Sequence, residues 1–166
     1  MTFEPVNADE LTREEVYRLI ESSMSGLIEA EGGPLLDETA VMATFCSLVK
    51  TLHRGAFWVG FYRLVRPDVL LIGPYQGTPG CLEIPLNRGV CGQAAREGRT
   101  VIVPDVLEHP DHIACDPRSR SEIVVPYWGS NGELRGVLDI DSDEPNTFDE
   151  EDARHLESLL SRFLRF

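Results

Sequence analysis

Apolar residues at Val16, Leu19, Ile20, Leu27 and Ile28 recur at helical spacing and form one stripe. Thr12-Arg-Glu-Glu15 stands at its head and reads as a capping box, in which the two side chains satisfy free backbone N–H groups of the first turn. A helix is therefore predicted to start near Thr12, and Gly32-Gly33-Pro34 breaks it. A second helical stretch runs from Asp37 to about His53, with Val41, Phe45, Leu48, Val49 and Leu52 facing inward. After Gly55 the pattern changes to strands. Residues 57–62 and 69–73 flank a turn at Pro67-Asp68 and read as a hairpin. Residues 81–85 give a third strand, a helix is predicted from about Val90 to before Gly98, and residues 100–103 give a fourth strand. A polar, irregular loop follows from Pro104 to about Arg120. Residues 122–127 and 134–141 form a second hairpin across Ser130-Asn131-Gly132. An amphipathic helix closes the pattern at about 149–164. This order predicts an α+β fold with a mainly antiparallel sheet flanked by helices. With no repeat and no linker, residues 1–166 read as one domain: helices at about 11–53, sheet and site at about 56–143, and a last helix at about 149–164.

Charge narrows the functions open to such a domain. Fifteen Lys+Arg against 28 Asp+Glu give a net charge of −13, which argues against nucleic acid and against anionic lipid. The 42% of hydrophobic residues is enough for a packed core and unlike an acidic disordered tail. MTFEPVNADELTREE has neither a basic n-region nor an apolar h-region, so no signal peptide is expected. No apolar run approaches the roughly 20 residues that cross a bilayer. A cytoplasmic protein is the resulting expectation. Four cysteines, Cys46, Cys81, Cys91 and Cys115, are too few for a disulfide-stapled scaffold of this length. In a reducing compartment they are expected to be free, metal-bound or redox-active. Cys46 lies in a helical stretch and reads as a small buried hydrophobe.

Several residue patterns could carry chemistry. Asp139 and Asp141 are two apart on a strand and share a face, while Leu138 and Ile140 point to the core side. Like charges so close raise a carboxyl pKa, so the pair could bind an ammonium or cation, or keep a proton for use as an acid; a solvated strand face is the plainer alternative. The long loop carries His112, Cys115, Arg118 and Arg120. Cationic neighbours favour a thiolate, which makes Cys115 a candidate nucleophile. Cys81 and Cys91 bracket a strand and the turn Arg88-Gly-Val-Cys-Gly92, and Cys91 falls at a helix start that favours an anion. Zinc bound by His109, His112, Cys115, Cys81 and Cys91 is a competitor, but nothing pairs at C-x₂-C and the spacings fit no ribbon or knuckle. Structural zinc is therefore less expected than redox chemistry. There is no G-x-S-x-G, P-loop, G-x-G-x-x-G or H-E-x-x-H. Trp58 and Tyr62 share a strand face and could wall a small pocket, whereas Trp128 reads as core or rim.

Taken together, Trp58-Val-Gly-Phe-Tyr62, Gly73-Pro-Tyr-Gln-Gly77, Cys81-Leu-Glu-Ile-Pro85, Gly89-Val-Cys-Gly-Gln-Ala-Ala95, His112-Ile-Ala-Cys-Asp116, Ser119-Arg-Ser-Glu-Ile-Val-Val-Pro126 and Gly136-Val-Leu-Asp-Ile-Asp-Ser142 resemble the free methionine-(R)-sulfoxide reductase family, enzymes built on a GAF domain. The resemblance implies thioredoxin-dependent reduction of free methionine (R)-sulfoxide with no metal and no organic cofactor. It implies that Cys115 is the catalytic cysteine and passes through a sulfenic acid. Cys81 would be the resolving cysteine that closes a disulfide with it, and Cys91 a second recycling cysteine. Glu122, Asp139 and Asp141 would line the substrate pocket, one as proton donor and another holding the α-ammonium, with Trp58 and Tyr62 as the apolar wall for the S-methyl group. The partners implied are free methionine sulfoxide and thioredoxin, with homodimerisation left open. The competing function is a GAF domain that senses a small molecule without catalysis, for which three cysteines would be unnecessary; a redox sensor without turnover is a further one.

Overall fold

A computed structural model describes residues 7–30, 37–113 and 115–166. Helix α1 spans Arg13–Ala30. Thr12 and Glu15 form its cap: Glu15 Oε2 accepts from the Thr12 N–H at 2.8 Å, and the Glu15 N–H donates to Thr12 Oγ1 at 3.3 Å. Its buried face is Val16, Tyr17, Ile20 and Met24, with Leu19 and Ile28 only partly buried, so the stripe is rotated from the predicted one. The polar end of Tyr17 explains the rotation. Its hydroxyl donates at 2.9 Å to Asp152, which is itself fully buried. The predicted break at Gly32-Gly33-Pro34 lies outside the described residues. Helix α2, Glu38–Leu52, is capped by Asp37, whose side chain accepts from the Ala40 N–H. All five predicted inward residues are buried, together with Met42 and Cys46.

Six strands follow: β1 Trp58–Arg66, β2 Val69–Gln76, β3 Glu83–Pro85, β4 Val101–Val103, β5 Ser121–Trp128 and β6 Leu134–Ser142. Between β3 and β4 lies α3, Gly89–Glu97, and α4, Glu150–Phe163, comes last. The strands form one sheet in the order β3-β2-β1-β6-β5-β4, and every pairing is antiparallel. The α+β expectation holds.

Strand alternation divides the sheet's two faces between two cores. Val59, Phe61, Ile123, Val125, Leu138 and Ile140 pack with α1, α2 and α4. Trp58, Tyr62, Val124 and Val137 face the other way and meet α3, whose Val90, Cys91, Ala94 and Ala95 are buried against them. That second face holds the site. Cys46 belongs to the first core, where its thiol donates to the Pro74 carbonyl.

Candidate active site

The register of the central strands assembles a carboxyl cluster. Asp139 and Asp141 project from β6 on the α3 side, and Glu122 on β5 lies directly across from Asp141. Opposed like charges on neighbouring strands are destabilising, and here they are also shielded from water. Glu122 and Asp139 are only 5% and 6% exposed, and Asp141 is half-buried. All three carboxyls are pushed well above their ordinary range. Burial is the largest cause in each; the next is Asp141 acting on Glu122, Glu122 acting on Asp139, and Asp139 acting on Asp141. Hydrogen bonds from the Ser119 side chain to Asp141 and from the Cys91 thiol to Asp139 act in the opposite direction. Among the described residues Glu122 Oε2 and Asp139 Oδ1 have no hydrogen-bond partner, nor does His112 Nδ1, which lies 3.6 Å from that Glu122 oxygen. Burial lowers the His112 pKa and so favours its neutral ring, which offsets the carboxylates less than a cation would.

Two segments roof the cluster. The start of α3 brings Gly89, Val90 and Cys91 over it, and the loop before β5 brings His112, Ile113, Cys115 and Ser119. Gly89 has φ +74, and a Cβ there would stand 2.8 Å from Ile113 Cδ1, so glycine lets loop and helix close together. With Ile84 these residues line a narrow pocket that opens to solvent and has a cavity volume of about 30 Å³, room for about one water-sized molecule with the disulfide closed.

Cys115 lines this space and is joined to Cys81 by a disulfide, with Cα atoms 5.4 Å apart. Cys81 precedes β3 rather than lying within it, as the sequence pattern had placed it. The bridge and a hydrogen bond from the Tyr62 hydroxyl to the Cys81 carbonyl hold it off the strand. Thr78 Oγ1 donates to Asp116 at 2.7 Å and ties the two cysteine loops together a second time.

Several sequence expectations change. Arg118 and Arg120 were expected to favour a Cys115 thiolate. Arg118 instead pairs with Asp116 at 2.7 Å and lies over the Phe57 ring, and Arg120 pairs with Asp105 at 2.7 Å. The arginines clamp the loop, and Asp116 is held well below the usual carboxylate range by Arg118. Cys91 starts a helix, yet burial and the neighbouring Asp139 push its thiol well up, so desolvation outweighs the helix terminus. Trp58 and Tyr62 stand behind the cavity rather than in its lining. Trp58 stacks between Tyr62 and Tyr75 and donates to the Thr78 carbonyl, so the aromatic pair supports the loop that carries Cys81. Gly80 crosses this platform closely: a Cβ there would lie 3.1 Å from Trp58 and 3.2 Å from the Tyr62 hydroxyl. His109 is outside the cavity lining, hydrogen-bonded to Gln93. Ser119 is a site residue that sequence reasoning misses, since a serine between two arginines carries no signal until the fold buries it beside Asp141.

The raised carboxyls have a consequence for stability. The folded state keeps protons that the unfolded chain releases above the ordinary carboxylate range, so stability falls as pH rises from about 4 toward the raised values. Asp139→Asn, compared with the parent chain with the disulfide intact, is expected to raise Tm at pH 8 by several degrees, at roughly 2–4 °C per kcal/mol for this length. The gain should shrink toward pH 4. Calorimetry across that range checks it, and an equal or lower Tm at pH 8 would contradict the buried repulsion.

The GAF domain family matches residues 36–162 of the chain. The free methionine-R-sulfoxide reductase of Saccharomyces cerevisiae is 36% identical over 151 residues, covering 90% of this chain and 84% of that one. The X-ray structure of free methionine-R-sulfoxide reductase from Neisseria meningitidis, in complex with its substrate, is 43% identical with a TM-score of 0.77, covering 96% of this chain and 89% of that one. The chain belongs to the free methionine-R-sulfoxide reductase family of GAF-domain proteins. A GAF protein from Burkholderia vietnamiensis, named as a candidate sensor, is 40% identical with a TM-score of 0.84, covering 93% of this chain and 94% of that one. The fold therefore serves both descriptions, and the cavity must decide between them. Among the described residues no helix is long and apolar enough to cross a membrane.

Proposed function

We propose that this chain reduces free L-methionine (R)-S-oxide to L-methionine in the cytoplasm, with thioredoxin as the electron donor. The observation that carries this reading is that Cys115 faces the same small cavity as Glu122, Asp139 and Asp141, while its disulfide partner Cys81 stays outside the lining. A binding-only sensor has no use for that combination.

The cycle begins when an external dithiol opens the Cys81–Cys115 bond by thiol–disulfide exchange, delivering two electrons and two protons. The Cys115 thiolate then attacks the sulfoxide sulfur. The oxygen takes a proton from the Glu122–Asp139 pair, which cannot hold two negative charges in a buried site. The hydroxyl then passes from the substrate sulfur to the Cys115 sulfur: the substrate's S–O bond and the bond between the two sulfurs break as the Cys115 S–O bond forms, leaving a sulfenic acid and methionine reduced by two electrons. The Cys81 thiol attacks the Cys115 sulfur, water departs, and the disulfide re-forms. Asp141 is the most exposed of the three carboxyls and accepts from Ser119, and an ammonium beside it would draw its raised pKa down toward the ionised form. It holds the α-ammonium, a group that methionine within a peptide lacks. Ile84, Val90 and Ile113 supply the apolar surface for the thioether carbons.

A thioredoxin-coupled assay that follows NADPH oxidation tests this, using separated R and S epimers of free methionine sulfoxide and a peptide-bound sample. Turnover with the free R epimer alone is the expected outcome. Equal rates with the peptide, or no turnover with any of them, would refute the reading.

A further inference from the structure

Cys91 is the one cysteine of the site that the bridge leaves over. It is 3% exposed, lines the same cavity as Cys115, and its thiol donates to Asp139 Oδ2 at 3.3 Å. Among the described residues the second oxygen of Asp139 is buried without a partner, as is Glu122 Oε2. Cys91 Sγ and one oxygen from each carboxyl lie within 4.8 Å of one another. A recycling thiol has to become a thiolate and reach a sulfur, whereas this one is already engaged as a donor and held under the first turn of α3.

We propose that Cys91 is a positioning residue for the proton rather than a recycling cysteine: by donating to Asp139 Oδ2 it directs the other Asp139 oxygen toward Glu122, so that the proton is shared between these two carboxyls. This rests on the reading of the cluster as the source of the sulfoxide proton. The groups facing Asp139 are few. Glu122 approaches from β5, Asp141 lies beside it on β6, Tyr62 comes from β1, Cys91 from α3, and His112 stands on the far side of Glu122. Burial drives the Tyr62 pKa upward, so its hydroxyl keeps its proton, and drives the His112 pKa downward, which favours the neutral ring. Removing the thiol leaves Asp139 Oδ2 without its donor, and a carboxylate that loses a donor binds its proton more tightly. The proton then localises on Asp139 and is less available to substrate.

Cys91→Ala and Cys91→Ser separate the two roles, because serine keeps a donor and removes the sulfur. With a small dithiol as reductant, the basic limb of the kcat profile of Cys91→Ala is expected to move to higher pH by roughly half a unit or more, with Cys91→Ser near the parent position. In a single turnover without reductant, both variants should lose two thiols per methionine formed. An unmoved basic limb in Cys91→Ala, or equal loss of thioredoxin-coupled turnover in both variants with the small dithiol restoring it, would overturn the proposal. A parent protein that forms no methionine would instead overturn the reading on which it rests. Cys91→Ser also guards against misreading a packing defect, since a merely structural role would lower rates without moving the profile.

Discussion

Cys115→Ser is expected to lose thioredoxin-coupled reduction of free methionine (R)-sulfoxide by at least about 10³-fold, down to background. No other thiol can substitute. Cys46 is sealed in the core on the opposite face of the sheet, Cys81 lies outside the cavity lining, and Cys91 is bound to Asp139 with its pKa pushed up. A serine hydroxyl has neither the acidity nor the softness to attack sulfur. Cys81→Ser should behave differently, forming methionine once per chain and then stalling as a sulfenic acid that small thiols can rescue. Comparing steady-state rates with single-turnover yields distinguishes the two. Parent-like turnover in Cys115→Ser would remove the nucleophile from the account.

Glu122→Gln is expected to lower kcat by about 10²–10⁴-fold, the range typical of a general acid or base. Glutamine has nearly the shape of glutamic acid and can still fill the space across from Asp141, but it has no proton to give. The same substitution removes one of the mutually repelling carboxyls, so the variant should be less active and no less stable at neutral pH. That pairing of effects separates lost chemistry from damaged packing. A near-parent rate in Glu122→Gln, measured with the R epimer at saturation, would mean that the proton comes from elsewhere.

Much of this arrangement is legible from local pattern. The alternation Leu138-Asp139-Ile140-Asp141 places both aspartates on one face because strand geometry permits nothing else. The Thr12–Glu15 cap follows from backbone groups that must find partners. Features decided by register or by long-range pairing are hidden from such reasoning. The opposition of Glu122 and Asp141 depends on how β5 and β6 align across their turn. Arg118 and Arg120 sit close to Cys115 in sequence, but spacing could not reveal that Asp116 and Asp105 would take them. The helix-terminus argument for a Cys91 thiolate fails for a related reason: a dipole effect of a few tenths to one kcal/mol competes with full desolvation beside three carboxyls. The resemblance supplied Cys81 and Cys115 as partners, and the structure joins them.

The most direct measurement is a single turnover of the fully reduced parent protein with free methionine (R)-sulfoxide and no added reductant. Methionine and remaining thiols are counted together, and the new bond is located by mass spectrometry of the digested chain. One methionine per chain, two thiols lost and a bond between Cys81 and Cys115 are predicted. Binding of the sulfoxide with no methionine formed and no thiol lost would contradict the account and leave a sensor in its place.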